Sequence, residues 1–321
     1  MTLWTSKTMR KLAERGKSAF ADARGRISFM KTRKDTLLFI AFLLPALASL
    51  VVVIIIPFLM GIYYSLTDWN GVSKTVNFVG LQNYLAIFQR DPSFIHAFLI
   101  TLAYAFLNVL AVNLVAIGLA LLVTNRLKLT NVYRAAFFAP NLIGGLVLGY
   151  IWQFIYNNVI SFYDFMPQML AKPGTALAAT VITSTWQYAG YIMMIYVAAI
   201  QSVPESLLEA AEMDGATYSK RFRYIFFPMI AQSFTICMFL SLTSSFKQFD
   251  VNISLTNGGP AASFMGESIR FTELMALNIY YTAFSYNKMG EGQAKAIIFF
   301  FLLLVVSVTQ VYFSKKREVE A

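Results

Sequence analysis

Six long stretches of this 321-residue chain contain no ionised side chain. They are 19 to 34 residues long and predominantly apolar. A helix needs roughly 20 apolar residues to cross the hydrocarbon core of a bilayer. The stretches therefore predict an all-α integral membrane protein with six transmembrane helices, at 36–67, 92–125, 135–163, 173–204, 224–246 and 296–314.

The basic residues indicate which side of the membrane each loop faces. The first 36 residues carry ten lysines and arginines, and if this tail is cytoplasmic, six spans place 19 of the 26 basic residues on its side. Lys and Arg accumulate in short cytoplasmic loops, so both termini are predicted to be cytoplasmic. Because this charge lies at the membrane ends, contact with anionic lipid is favoured over nucleic acid. The predicted organisation is a basic tail at 1–36, a six-helix domain at 37–314 and a short tail at 315–321.

Residue counts exclude several kinds of chemistry. The single cysteine, Cys237, cannot form an intrachain disulfide, and the single histidine, His96, does not supply a zinc ligand set. The sequence contains no GxxxxGK[ST] phosphate-binding loop and no constellation of nucleophile, acid and base. The chain is therefore predicted not to be an enzyme and to bind no cofactor or metal, so any nucleotide must bind to another chain.

The stretch 202–228 predicts a helix–turn–helix in the loop between the fourth and fifth spans. Ser202-Val203-Pro204-Glu205 fits an S-x-x-E capping box with proline in the first turn. Asp214-Gly215 is a stop signal, and a second helix is expected from near Thr217. Four acidic residues crowd the first helix where basic residues are expected. They indicate either a solvated helix face or a contact for a basic partner.

This stretch resembles the cytoplasmic EAA signature of the membrane subunits of bacterial ABC importers. The signature is EAA, three residues, Gly, nine residues, Ile, one residue and Leu-Pro. Here Glu209-Ala210-Ala211 is followed at that spacing by Gly215, Ile225 and Phe227-Pro228, with Phe in place of Leu. The resemblance implies that 202–224 is a coupling loop whose helix inserts into a cleft of an ATPase subunit. The implied coupling residues are Glu209, Ala210, Ala211, Asp214 and Gly215.

Further segments are similar to the maltose-type permeases for sugars and oligosaccharides. They are FVGLQNY at 78–84, Val203-Pro204-Glu205, and Thr256-Asn257-Gly258-Gly259-Pro260. The resemblance implies the type I ABC importer permease fold, a bacterial cytoplasmic membrane location, and import of a sugar or oligosaccharide. The implied partners are a second homologous permease subunit, two ATPase subunits that bind ATP and magnesium, and an extracellular solute-binding protein.

A polar stripe in the fifth run marks a candidate substrate pathway. Its spacing places the members on one helix face, either bonding neighbouring helices or lining a water-filled cavity. These members are Ser241, Ser244, Ser245, Gln248 and Asn252. Lys247 and Asp250 lie three residues apart near the same end and could pair with each other.

The fourth run supplies a second group of candidates. Aromatic rings with polar tips, together with amides, suit the apolar faces and hydroxyl rims of sugars. Maltose-type permeases bind sugar with the region of their fifth helix, and the resemblance implies the same here. Asn141, after Pro140, is added to the pathway mostly because of this resemblance. The expected pathway residues are Asn141, Gln187, Tyr188, Tyr191, Ser241, Ser244, Ser245 and Gln248.

Two alternatives remain open from the sequence. The same importer class could carry a polyol, a glycerol phosphate or another small solute, although only Lys247 offers a cation for a phosphate. A stand-alone ion-coupled transporter would need inverted repeats and embedded ionisable groups. The sequence shows no matching halves, and Lys247 with Asp250 is the one charged candidate pair.

Overall fold

The computed structural model describes residues 33–124, 128–162 and 168–315. Most of the predicted basic tail and the last six residues lie outside these ranges. The helices are α1 (Arg33–Leu50), α2 (Ile56–Ser65), α3 (Gln82–Arg90), α4 (Pro92–Thr124), α5 (Thr130–Phe138), α6 (Gly145–Phe154), α7 (Pro173–Gln201), α8 (Glu205–Met213), α9 (Tyr218–Arg221), α10 (Phe227–Met229), α11 (Ala231–Phe246), α12 (Asp250–Leu255), α13 (Met275–Tyr280) and α14 (Met289–Lys315).

The chain divides into two compact units, with the boundary after Met60. In the first, α1 contains Pro45 and is followed by a π-helical turn at Val51–Ile55, directly before the Ile56-Pro57 start of α2. Proline lacks an amide hydrogen and cannot complete a regular helical ladder, which accounts for the irregular turn directly before Pro57.

Within the described residues, three helices are long and apolar enough to cross a membrane, at Leu37–Ser65, Pro92–Thr124 and Met289–Ser314. Two further pairs qualify as broken spans. Thr130–Leu142 and Gly145–Phe162 meet at 98°, and Ser219–Met229 and Ala231–Phe246 meet at 64°. The count is therefore three spans, or up to five if each bent pair is one span.

The predicted fourth span, α7, is not among these helices. It is long enough, with 29 residues, and has no ionised side chain, so its mean hydropathy is what falls short. The polar and aromatic sequence Thr183-Ser184-Thr185-Trp186-Gln187-Tyr188 lies in its middle. The number six and the cytoplasmic position of both termini therefore stay predictions.

The core of the second unit lies where α4, α7 and α11 meet. Ala116 and Ala120 of α4 are fully buried in one apolar cluster with Tyr196 of α7 and Cys237 of α11. Small residues at such positions allow helices to approach closely in a membrane. α7 also approaches α5 closely at Gly190, where an added Cβ would overlap the backbone carbonyl of Phe137.

The segment between α12 and α14 contains a β-hairpin that the sequence analysis did not predict. Strands β1 (Ala261–Phe264) and β2 (Glu267–Arg270) are antiparallel, with Phe264 opposite Glu267. Met265 and Gly266 form the tip with φ of 52° and 84°. Positive φ at both central residues is the geometry of tight hairpin turns.

The uncharged stretch 274–287 contains the short helix α13. α13 continues as a π-helical turn at Tyr281–Ser285. Its first amide, Met275 N, donates to Thr101 Oγ1 of α4 at 2.9 Å. The segment is therefore anchored to a membrane helix rather than being a free loop.

Candidate translocation pathway and coupling loop

The loop between α7 and α11 forms the predicted helix–turn–helix, but it begins differently. Pro204, with φ −61° and ψ 127°, is the N-cap of α8 and makes no side-chain cap hydrogen bond. Ser202 is the C-cap of α7, and its hydroxyl donates to Ala199 O at 2.7 Å. The predicted capping box is therefore wrong, because the serine still belongs to the last turn of α7.

The predicted turn at the end of α8 is confirmed. Asp214 is the C-cap, and Gly215 has φ +72°. Ala216 N then donates to Ala211 O at 2.9 Å, which closes the helix end. Glycine adopts this left-handed conformation without steric cost. The turn that directs the chain from α8 into α9 thus depends on Gly215.

One ion pair joins the two helices of this loop. Arg221 Nη1 of α9 lies 2.8 Å from Glu212 Oε2 of α8. Glu209 and Asp214 are exposed and have no ion pair within the described part of the chain. The carboxylates of Glu209 and Asp214 are therefore available to a partner, whereas the carboxylate of Glu212 connects α8 to α9.

The stripe of the fifth run does not lie on one continuous helix. α11 ends at Phe246 and α12 starts at Asp250, so Gln248 falls in the connection. α12 packs separately against α6, where an added Cβ at Gly149 would overlap Ser254. The prediction of one helix face is wrong beyond Phe246, because the chain leaves α11 there and Asn252 lies on α12. Lys247 and Asp250 form no ion pair with each other.

Two serines of α11 are hydrogen-bonded to α4. Asn113 Nδ2 donates to Ser241 Oγ at 2.9 Å, and Tyr196 OH of α7 donates to Asn113 Oδ1 at 2.7 Å. One turn further along, Asn108 Nδ2 donates to Ser245 Oγ at 2.8 Å. All five side chains are buried. They connect three helices by interhelical hydrogen bonds.

A third level of the same arrangement lies one turn beyond Asn108. The Tyr104 hydroxyl donates to Ser184 Oγ at 2.8 Å, and Gln248 Nε2 donates to the same oxygen at 2.9 Å. Gln248 is half-buried, whereas the side chains at the levels of Asn108 and Asn113 are buried. We refer to the whole set as the polar ladder, which comprises Tyr104, Asn108, Asn113, Ser184, Tyr196, Ser241, Ser245 and Gln248.

The other predicted pathway residues lie beside the bend of the third run. Gln187 Nε2 donates to Ile143 O at 3.0 Å, and Asn141 is in the adjoining 3₁₀ turn at Ala139–Leu142. The Tyr188 and Tyr191 rings are 5.4 Å apart. All four of these side chains are half-buried, as is Ser244, whose hydroxyl bonds to Tyr188.

Five members of the polar ladder were absent from the sequence-based candidates: Tyr104, Asn108, Asn113, Ser184 and Tyr196. Polar residues spaced along α4 were the available signal, since Asn108 and Asn113 are costly inside an otherwise apolar span. Tyr196 and Ser184 carried no comparable signal, because single hydroxyls are common in such helices.

A buried ion cluster around Lys295 was also absent from the sequence-based candidates. Lys295 of α14 is 2% exposed, and its Nζ lies 2.5 Å from Asp91 Oδ2 and 3.5 Å from Glu291 Oε1. It also donates to Asn278 Oδ1 at 3.2 Å and to Thr282 Oγ1 at 2.8 Å. The ammonium group therefore joins the start of α4 to α13 and α14.

Two carboxyl groups near Lys295, those of Asp91 and Glu273, have pKa values that are shifted in opposite directions. Burial would raise the pKa of Asp91, but hydrogen bonds from Lys295 and Ser93 outweigh it and lower the pKa. Burial raises the pKa of Glu273, and the hydrogen bond from Asn278 Nδ2 at 2.6 Å offsets only part of this. Asp91 is thus the charge partner of Lys295, and Glu273 is less readily ionised.

A comparison with known protein families identifies the family of this chain. Residues 23–319 match the family described as "Binding-protein-dependent transport system inner membrane component". The chain belongs to this family. It is therefore a permease subunit of an inner-membrane transporter and not an enzyme, and the predicted family is confirmed.

Two relatives show the extent of similarity. The "Probable starch degradation products transport system permease protein AmyD" of Thermoanaerobacterium thermosulfurigenes is 43% identical over 285 residues, covering 87% of this chain and 94% of the relative. The "Multiple sugar-binding transport system permease protein MsmF" of Streptococcus mutans is 29% identical over 285 residues, covering 87% and 95%.

The fold is shared with a solved transporter. A chain in the crystal structure of a bacterial ABC transporter involved in the import of the acidic polysaccharide alginate superposes with a TM-score of 0.73 at 20% identity. The match covers 88% of this chain and 96% of that chain. The predicted importer permease fold is confirmed.

Proposed function

We propose that this permease forms part of the membrane pathway of an ATP-driven importer for sugars or oligosaccharides. The observation that carries the proposal is the 43% identity to AmyD, whose name specifies starch degradation products, over nearly the whole length of both chains. MsmF, named for multiple sugars, supports the same solute class.

The chemistry of the candidate pathway is suited to such a solute. Tyr188, Tyr191 and Gln187 combine aromatic faces with hydrogen-bonding groups, as binding of a hydroxyl-rimmed ring requires. Half-buried side chains are the ones a solute would meet first. In this proposal they are Asn141, Gln187, Tyr188, Tyr191, Ser244 and Gln248, with Ser241 and Ser245 reached only after the helices separate.

The coupling loop transmits the energy of ATP hydrolysis from the ATPase subunits in this proposal. The exposed Glu209 and Asp214 would face basic residues of an ATPase subunit, Ala210 and Ala211 would pack in its groove, and Gly215 would maintain the turn. The other partners would be a second homologous permease subunit, a second ATPase subunit and an extracellular solute-binding protein. Closure of the ATPase subunits would then move the loop and rock the two permease halves.

Uptake by the complete complex in proteoliposomes tests this function. We expect accumulation of radiolabelled maltotriose that requires ATP on the side of the ATPase subunits and the binding protein on the other. A control with ADP should give no accumulation. Accumulation of sn-glycerol 3-phosphate in place of every sugar offered would contradict the sugar proposal. Sugar uptake driven by an ion gradient without ATP would contradict the importer mechanism.

A further inference from the structure

The orientation of the Asn108 amide is set by its neighbours. Ser245 Oγ donates its hydrogen to Ser241 O at 2.6 Å. The oxygen of Ser245 can then only accept in its contact with Asn108, so the donor must be Asn108 Nδ2, at 2.8 Å. The amide oxygen Oδ1 therefore points away from Ser245.

This oxygen has no donor among the residues that the structure describes, although Asn108 is only 4% exposed. Buried polar atoms almost always have a partner, and an exception needs an explanation. Asn113, five residues further along the same helix, is the contrasting case. Its Oδ1 accepts from Tyr196 OH, and its Nδ2 donates to Ser241 Oγ and Val109 O.

The position of Asn108 relates this oxygen to the candidate pathway. Tyr104 lies one turn away on the same face of α4 and bonds to Ser184, whose oxygen also accepts from Gln248. Gln248 is half-buried and is itself one of the proposed pathway residues. Gln248 also forms a side-chain hydrogen bond with Tyr104. Movement of Gln248 away from both Ser184 and Tyr104 would expose the level of the polar ladder next to Asn108.

We propose that Asn108 is a specificity-determining residue whose Oδ1 accepts a hydrogen bond from a hydroxyl group of the translocated solute. This inference rests on the proposed function, since it needs a solute that carries hydroxyl donors. In the described structure, Ser241 and Ser245 form their hydrogen bonds within the polar ladder, while Asn108 Oδ1 has no donor. A hydroxyl donor arriving after Gln248 moves would fill that acceptor.

Two matched substitutions on α4 test the inference. Asn108→Leu removes the unpartnered buried acceptor, which offsets the loss of the one hydrogen bond from Nδ2 to Ser245 Oγ, so the complex without solute should melt close to wild type. Asn113→Leu removes no unpartnered atom and breaks hydrogen bonds with Tyr196, Ser241 and Val109, so that complex should melt at a clearly lower temperature. A purely structural role for Asn108 predicts that both variants melt lower.

The second readout is solute binding by the permease–ATPase complex without the binding protein. Titration with maltotriose, followed as thermal stabilisation, should give about fivefold weaker apparent affinity for Asn108→Leu than for wild type, the loss expected for one hydrogen bond. Asn108→Ala, which adds no bulk, should show the same weakening. Unchanged affinity in both variants overturns the inference alone. If no sugar stabilises the wild-type complex, the proposed function fails, and this inference fails with it.

Discussion

Lys295→Met is expected to lower the free energy of unfolding by about 3–5 kcal/mol, the usual cost of removing one partner of a buried ion pair. The methionine side chain can fill the space but donates no hydrogen bond. Asp91 would keep a poorly solvated carboxylate, and Asn278 Oδ1 would lose its donor. The start of α4 would then lose its charged connection to α14. Denaturant titration of the purified permease measures the change.

Lys288→Met is the matched control in the same region. The Lys288 side chain is 62% exposed, and its Nζ lies 3.2 Å from Glu291. An exposed ion pair contributes at most about 1 kcal/mol, so this variant should unfold close to wild type. Equal losses of stability in the two lysine variants would show that burial of Lys295 does not matter to the fold.

Glu209→Lys is expected to abolish transport while the permease still inserts into the membrane. Reversal of an exposed charge should not disturb α8, because Glu209 has no ion pair in the described part of the chain. At an interface with a basic partner, loss of a close charge pair costs roughly 2 kcal/mol or more, about thirtyfold in affinity. Co-purification of the ATPase subunits with the tagged permease measures the effect.

Glu267→Lys makes the same charge change at an exposed position of the β-hairpin, far from the coupling loop in the sequence. It should leave ATPase recovery unchanged. A basic residue of the ATPase changed to glutamate should restore recovery with Glu209→Lys. Full ATPase recovery and full uptake with Glu209→Lys alone would remove Glu209 from the coupling role.

Local signals in the sequence predicted local structure well. The Asp214-Gly215 turn and the start of α9 near Thr217 were correctly placed, because a left-handed cap depends on the glycine itself. The capping box failed since Ser202 was claimed by α7, a competition that the four-residue pattern does not reveal. The hairpin was missed because its Met265-Gly266 tip lacks the usual Asn-Gly or Asp-Gly.

Features that depend on distant residues could not be read from the chain. The 98° bend in the third run lies at a Pro140-to-Gly145 segment whose signals allow a break but do not specify its angle. Lys295 is buried because Asp91, some two hundred residues earlier, meets it. The serine stripe was recognised on α11, but its partners Asn108 and Asn113 lie on α4 and depend on the packing of these helices.

Contact between the loop that contains Gly215 and a separate ATPase subunit can be tested by site-directed cross-linking. Replacing the one native cysteine by Cys237→Ala allows a single thiol to be placed at will. Met213 in the loop and Met265 at the hairpin tip are 89% and 70% exposed. A thiol-linked photo-cross-linker is attached to Met213→Cys or Met265→Cys in transport-competent membranes. We expect an ATPase adduct for Met213→Cys and none for Met265→Cys. Absence of that adduct while ATP-driven uptake continues would contradict this expectation.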